Sequence, residues 1–254
     1  MNKFNSLKVF FSHWRNQIVD PIKVSVNIQK FISYLRDMKK YSKIKGSEPI
    51  KLKDTYPCLH DKTKISRFDS HYFYQDIWAF KKILDSKFEC HIDIGSNVNF
   101  IGFLSVIKKI TFIDIRPLTA ELDNFESKKG NILSLPFEDN SVMSISCLHV
   151  AEHIGLGRYG DQFDPFGTKK AARELSRVLA PNGYLYFSLP IGKPRLCFNA
   201  HRIHSTSQIL SYFSDLELIE LSGIDDKGHL VRNIESKKLN SCNYGCGLFW
   251  FTKK

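Results

Sequence analysis

No stretch of the chain approaches the roughly 18 consecutive apolar residues that a helix needs to cross a bilayer. The opening MNKFNSLKVFFSHWRNQIVD places charged and polar side chains inside any would-be signal core. A cytoplasmic location is therefore expected. Cysteine is sparse and scattered: six residues, at 58, 90, 147, 197, 242 and 246, in a 254-residue chain long enough to fold without disulfides, so the expectation is reduced thiols. Cys242 and Cys246 have no matching second pair, which argues against a structural zinc, and both read as small apolar residues opening a strand. No internal repeat or low-complexity tract is present, which excludes a repeat array. Acidic residues are also in deficit, 26 against 37 Lys and Arg, so the net charge is 37 − 26 = +11.

Apolar material is abundant. Hydrophobic residues make up 43% of the chain, including 20 Phe and 10 Tyr, enough for a packed core. Residues 1–66 form a basic extension in which Val26, Ile28, Phe31, Leu35 and Met38 recur at roughly helical spacing opposite a lysine-rich face. Two uses of such a helix stand: a solvated helix packed on the main domain, or a peripheral contact with an anionic membrane face. The main domain is expected over residues 67–254.

From FDSHYFYQDIWAFKKILDS onward, helices and strands alternate. FECHIDIG, ITFIDI, GNILSL, SVMSISCL and YLYFSLPI read as strands, and FIGFLSVIKK as a helix. In GTKKAARELSRVLAPNG, Ala171, Leu175, Val178 and Leu179 fall at i, i+4, i+7 and i+8 before a Pro-Asn-Gly turn. STSQILSYF reads as a helix with Ser205 as its cap, and LELIEL and CGLFWF as two closing strands. This alternation predicts an α/β fold with a doubly wound, mostly parallel sheet and an antiparallel edge hairpin.

Ligands of such sheets bind beyond the carboxyl ends of the strands. The first end is Asp93-Ile94-Gly95-Ser96-Asn97, where Gly95 permits a tight turn and Asp93 either binds an amine or orders the loop. Asp114 closes the second strand 114 − 95 = 19 residues after Gly95, about the spacing at which nucleotide folds place a carboxylate on ribose hydroxyls. Asn131, at the third end, either reads an adenine edge or serves a turn. A full G-x-G-x-x-G is missing, with Asn97 and Asn99 where further glycines would stand, which disfavours a dinucleotide dehydrogenase. Asn97 is expected to tolerate a left-handed turn. The aromatic row Tyr72, Phe73, Tyr74 and Trp78 either covers a cofactor or joins the core.

GNILSLPFEDNSVMSISCLHVAEHIGLG followed by RELSRVLAPNGYLYFSLP resembles the class I S-adenosylmethionine-dependent methyltransferases over residues 76–221. The blocks YPCLHDKT, FDSHYFYQ, HVAEHIGLGRYGDQFDPFG, GKPRLCFNAHRI and NYGCGLFWF look like a methyltransferase-like domain-of-unknown-function family, often encoded among cell-surface polysaccharide genes. The resemblance implies a Rossmann-like fold and an S-adenosylmethionine site at Asp93, Gly95, Ser96, Asp114 and Asn131.

His149-Val-Ala-Glu152-His153 also fits the H-x-x-E-H zinc pattern, but it follows a strand at once rather than lying within a long helix, and no metal is expected. In the methyltransferase frame these residues sit beside the transferable methyl, with His149 as first candidate for the base, then Glu152 and His153. Arg158, Tyr159 and Asp161 of the GLGRYGDQFDPFG loop, with Lys193, Arg195, His201 and Arg202, are the expected acceptor contacts, suited to an anionic sugar. The function so implied is O-methylation of a sugar or phosphoryl-sugar in surface polysaccharide synthesis; the alternative is a non-catalytic glycan- or membrane-associated module. No base-flipping or Asn-Pro-Pro-aromatic signature supports a nucleic-acid substrate.

Overall fold

A computed structural model describes residues 21–254; the first 20 residues of the expected basic extension, including the stretch weighed as a signal, lie outside them. The chain divides into two compact units, Met1–Arg67 and Phe68–Lys254. In the first, helix α1 (Pro21–Tyr41) exposes Val26, Ile28, Phe31 and Leu35. Among the described residues no helix is long and apolar enough to cross a membrane.

The second unit begins with α2 (Ser70–Leu84), capped by Asp69, whose carboxylate accepts from the His71 and Tyr72 amides. Then follow β1 (Cys90–Ile94), α3 (Val98–Leu104), β2 (Lys109–Asp114), β3 (Phe125–Lys129), β4 (Val142–Leu148) and α4 (Gly167–Val178). The remainder comprises β5 (Leu179–Ile191), β6 (Arg195–Cys197), β7 (His201–Ile203), α5 (Thr206–Tyr212), β8 (Glu217–Ile224), β9 (Leu230–Val231), α6 (Ser236–Asn240) and β10 (Gly245–Thr252). Eight strands join in the order β3-β2-β1-β4-β5-β10-β8-β9, and β6 and β7 form a separate hairpin. β1 to β5 run parallel, whereas β10 slots antiparallel between β5 and β8. This is the doubly wound, mostly parallel sheet with an antiparallel edge that the alternating pattern predicts. Strand alternation divides the core: Phe187 and Phe249 pack with Leu175 of α4 and Ile209 of α5 on one face, and Tyr186 and Leu248 with Trp78 and Ile101 on the other. The Ser205 cap is completed by Gln208 as a reciprocal capping box.

Three expectations need correction. The third strand is FESKK, not GNILSL; it lies at the sheet edge with mostly exposed residues, so no apolar run marks it, and GNILSL forms a turn bridged between Asn131 and Ser134. The Pro-Asn-Gly turn lies inside β5 as a bulge, where the register with β4 jumps from Val142↔Leu179 to Ser144↔Tyr184. Asn97 stays extended at φ −60° and caps α3, while Gly95 takes the left-handed conformation at φ 66°.

The loop between β4 and α4 is fixed at its neck. Arg202 donates to the Ile154 carbonyl (2.6 Å) and the Asp164 carbonyl (2.8 Å), and Asp161 accepts from the Gly155 amide (2.6 Å). A Cβ on Gly167 would meet the Ile154 carbonyl at 2.1 Å, which only a backbone shift could relieve. Gly167→Ala should therefore destabilise the fold by about 1–3 kcal/mol in denaturant unfolding; an unchanged midpoint would show that the neck yields freely.

Candidate functional site

Strand order reverses between β1 and β4, and at that reversal the sheet opens. The two strands stay in register only at Ile92↔Ile145 and Asp93↔Ser146. Beyond them the Leu148 amide finds the Ser96 hydroxyl (3.1 Å) in place of a ladder carbonyl, and the Ser96 amide donates to Asp93 (2.9 Å). Asp93 also accepts from Ser146, whose hydroxyl touches His91 (2.8 Å) in a fully buried chain. Burial pushes the Asp93 carboxyl up to about 6 and the His91 ring down to about 3. Asp93 and Ser96 thus hold the turn from beneath.

Above that turn lies a cavity of about 660 Å³, lined by Gly95, Asp114, Asn131, Ile115, Arg116 and Leu133 among others, and roofed by residues 154–164. A Cβ on Gly95 would stand 3.2 Å from Asp114 Oδ2, so glycine lets the backbone and this carboxylate share the floor. Asp114 Oδ1 accepts from the Arg116 amide (2.7 Å). Asn131 accepts from the Leu133 amide (2.9 Å), the turn role, and lines the cavity. Sequence reasoning missed Arg116, whose guanidinium lies 4.6 Å from the centre of the Tyr159 ring and links the end of β2 to the roof. Its only sequence signal is its place two residues after Asp114.

His149 and His153 separate this cavity from a second of about 790 Å³, lined also by His71, Tyr72, Glu152, Arg158, His201 and Tyr244. His149, the residue after β4, sits at φ 55°, a strained conformation for a non-glycine residue and one that clusters at functional positions. Its Nδ1 lies 2.7 Å from the Gln75 carbonyl oxygen, which also accepts from Ser188 (2.6 Å). The proton therefore sits on Nδ1, and Nε2 carries a lone pair with no partner. Burial, then the neighbouring His71, His153 and His201, hold the ring well below the usual histidine range, so it is neutral at pH 7.

Glu152 is wholly buried and neither carboxyl oxygen has a partner. Burial raises it to about 8. His153 donates from Nδ1 to the Ala200 carbonyl (2.6 Å), and burial lowers its ring to about 4. Its Nε2 lies 3.7 Å from Glu152, within ion-pair distance, yet both groups are neutral at pH 7.

The expected acceptor contacts separate. Arg158 and His201 line the second cavity, whereas Tyr159 and Asp161 line the first. Arg202 spends its donors on the loop neck, and Lys193 and Arg195 are exposed outside both cavities. Of the aromatic row, Tyr72 faces the second cavity and Trp78 joins the core.

Residues 98–244 match the model of a family described as Caenorhabditis protein of unknown function, DUF268. No curated protein sequence matches the chain. Among solved structures, the chain is similar to YcgJ from Bacillus subtilis at 16% identity and a TM-score of 0.51, over 72% of this chain and 99% of that one. It is also similar to the N-methyltransferase NodS from Bradyrhizobium japonicum, solved in complex with S-adenosyl-L-homocysteine, at 15% identity and a TM-score of 0.50, over 78% of this chain and 91% of that one. At these identities the likeness is one of fold.

A buried acid held neutral makes stability depend on pH. Glu152 rises from 4.5 to about 8 in the folded chain, so its contribution is complete below pH 4.5 and is lost as pH climbs through about 8. Glu152→Gln should match the native chain near pH 5 and exceed its stability near pH 9 by on the order of a few kcal/mol. Equal stability differences at both pH values would show Glu152 ionised.

Proposed function

The chain belongs to the DUF268 family, and on that premise we propose that it methylates an acceptor oxygen, with S-adenosylmethionine in the first cavity and the acceptor in the second. The observation that carries this reading is the shared wall: a strained, neutral histidine with an unpartnered nitrogen stands where the two cavities meet. The first cavity fits the cofactor's parts. Asp114 offers a carboxylate to ribose hydroxyls, Ile115 and Leu133 offer apolar surface to the adenine, and Asn131 lines the same cavity. Gly95 leaves room for close backbone approach.

When bound, S-adenosylmethionine supplies an electrophilic methyl carbon on a sulfonium. His149 Nε2 takes the acceptor hydroxyl proton, Gln75 fixes the tautomer that frees that nitrogen, and the loop roof pinned by Asp161 and Arg202 excludes water. The acceptor we assign is a sugar or phosphoryl-sugar of surface polysaccharide synthesis. Arg158 and His201 support an anionic group, and Tyr72 and Tyr244 offer ring faces to a sugar. We extend the reading to a peripheral membrane contact through α1, supported by its exposed apolar residues beside Lys39 and Lys40.

Titration calorimetry with S-adenosyl-L-homocysteine tests the cofactor site. Binding to the native chain and a 10- to 150-fold weakening, about 1.5–3 kcal/mol, in Asp114→Ala is expected. A folded chain that takes up no ligand would instead favour the non-catalytic module. His149→Ala should lower turnover about 10²- to 10⁴-fold with cofactor affinity preserved; near-normal turnover would remove it as the base.

A further inference from the structure

Beside the wall between the cavities, three side chains distant in sequence converge. One ring nitrogen each of His71 and His149 and the Cys246 sulfur all lie within 4.8 Å of one another, and the three residues are buried. They come from the first turn of α2, the end of β4 and the start of β10. The sulfur is 4.0 Å from His149 Nδ1. Tetrahedral zinc, with bonds of about 2.1 Å to nitrogen and 2.3 Å to sulfur, sets its donors roughly 3.3–3.8 Å apart, so sub-ångström side-chain shifts would close the set.

Two independent observations point to a missing partner. His149 Nε2 has none although the residue is 8% exposed, and Glu152, at 0% exposure on the same cavity, has none for either oxygen. Buried carboxylates are ordinarily paired or coordinate a metal. Gln75 holds His149 Nδ1, the nitrogen 4.0 Å from the sulfur, so coordination through Nδ1 would replace that contact, whereas coordination through the unpartnered Nε2 would retain it.

We infer that His71, His149 and Cys246 form a three-ligand zinc site beside the second cavity, which His71 and His149 line. Two imidazoles and a thiolate suit zinc, and a three-ligand set with one open position is the arrangement of catalytic rather than structural sites. The acceptor class is then a hydroxyl or thiol able to occupy that position. This consequence rests on the methyl-transfer reading; the site itself does not. In a metal-loaded chain His149 would hold the ion rather than the acceptor proton, which would leave for solvent as the acceptor hydroxyl or thiol binds.

The test is cobalt substitution of the chelator-stripped full chain, beside the zinc content of protein purified without chelator. Expected are about one zinc per chain, tetrahedral cobalt absorption in the visible, and a sulfur-to-cobalt charge-transfer band in the near ultraviolet. Cys246→Ser should remove that band, His71→Ala should weaken cobalt binding by more than about 100-fold, and Cys242→Ser, at a buried cysteine outside the cluster, should change neither. The native spectrum reports a thiolate ligand by itself, so the test survives failure of a variant to fold. No zinc and no cobalt spectrum, or a charge-transfer band that persists in Cys246→Ser, would overturn the site. S-adenosyl-L-homocysteine titrated into the same stripped sample reads the cofactor cavity separately, so loss of one reading leaves the other standing.

Discussion

The first cavity depends on the separation of two neighbouring parallel strands. β1 and β4 share only two registered pairs before they part. The polar groups left at the opening are met by short side chains: Ser96 receives the Leu148 amide, and Asp93 receives Ser96 and Ser146. An unpaired buried amide would cost about 1–3 kcal/mol, so these serines and the aspartate make the crevice affordable. With the floor so fixed, Gly95 turns back over Asp114 at the base of the first cavity.

The second constraint is the left-handed residue at the end of β4. Its φ of 55° re-aims the chain into a short 3-10 turn, Ala151–His153, and so sets His149, Glu152 and His153 along one boundary. Low dielectric does the rest: each of the three is driven toward its neutral form by burial. A neutral imidazole with a free nitrogen can accept a proton or a metal ion, and a neutral carboxyl beside it can donate or, once ionised, coordinate.

Much of this architecture was legible in the sequence because burial leaves a periodic trace. Ala171, Leu175 and Val178 recur at helical spacing on α4 and are fully buried, as is Leu179, read with them but already the first residue of β5. Gly95 and Asp114 were legible as strand ends carrying a turn former and a carboxylate. β3 was not, because an edge strand reading FESKK carries no apolar alternation. The separation of Arg202 from the acceptor cavity was hidden for a different reason: a guanidinium recruited by two loop carbonyls looks, in sequence, like one awaiting an anion. The convergence of His71, His149 and Cys246 was least visible of all. Three elements far apart in the chain supply one ligand each, so no spacing rule applies, and Cys246 reads simply as a small apolar strand residue.

If S-adenosylmethionine binds as proposed, it lies across the carboxyl ends of β1, β2, β3 and β4 under the loop roof. Hydrogen exchange of the full chain with and without S-adenosyl-L-homocysteine measures this directly. Exchange should slow in the segments around Gly95, Asp114 to Arg116, Asn131 to Leu133 and Ile154 to Asp161, with the amides around Trp250 unchanged. Protection confined to the region of Trp250, or no protection at saturating ligand, would contradict it.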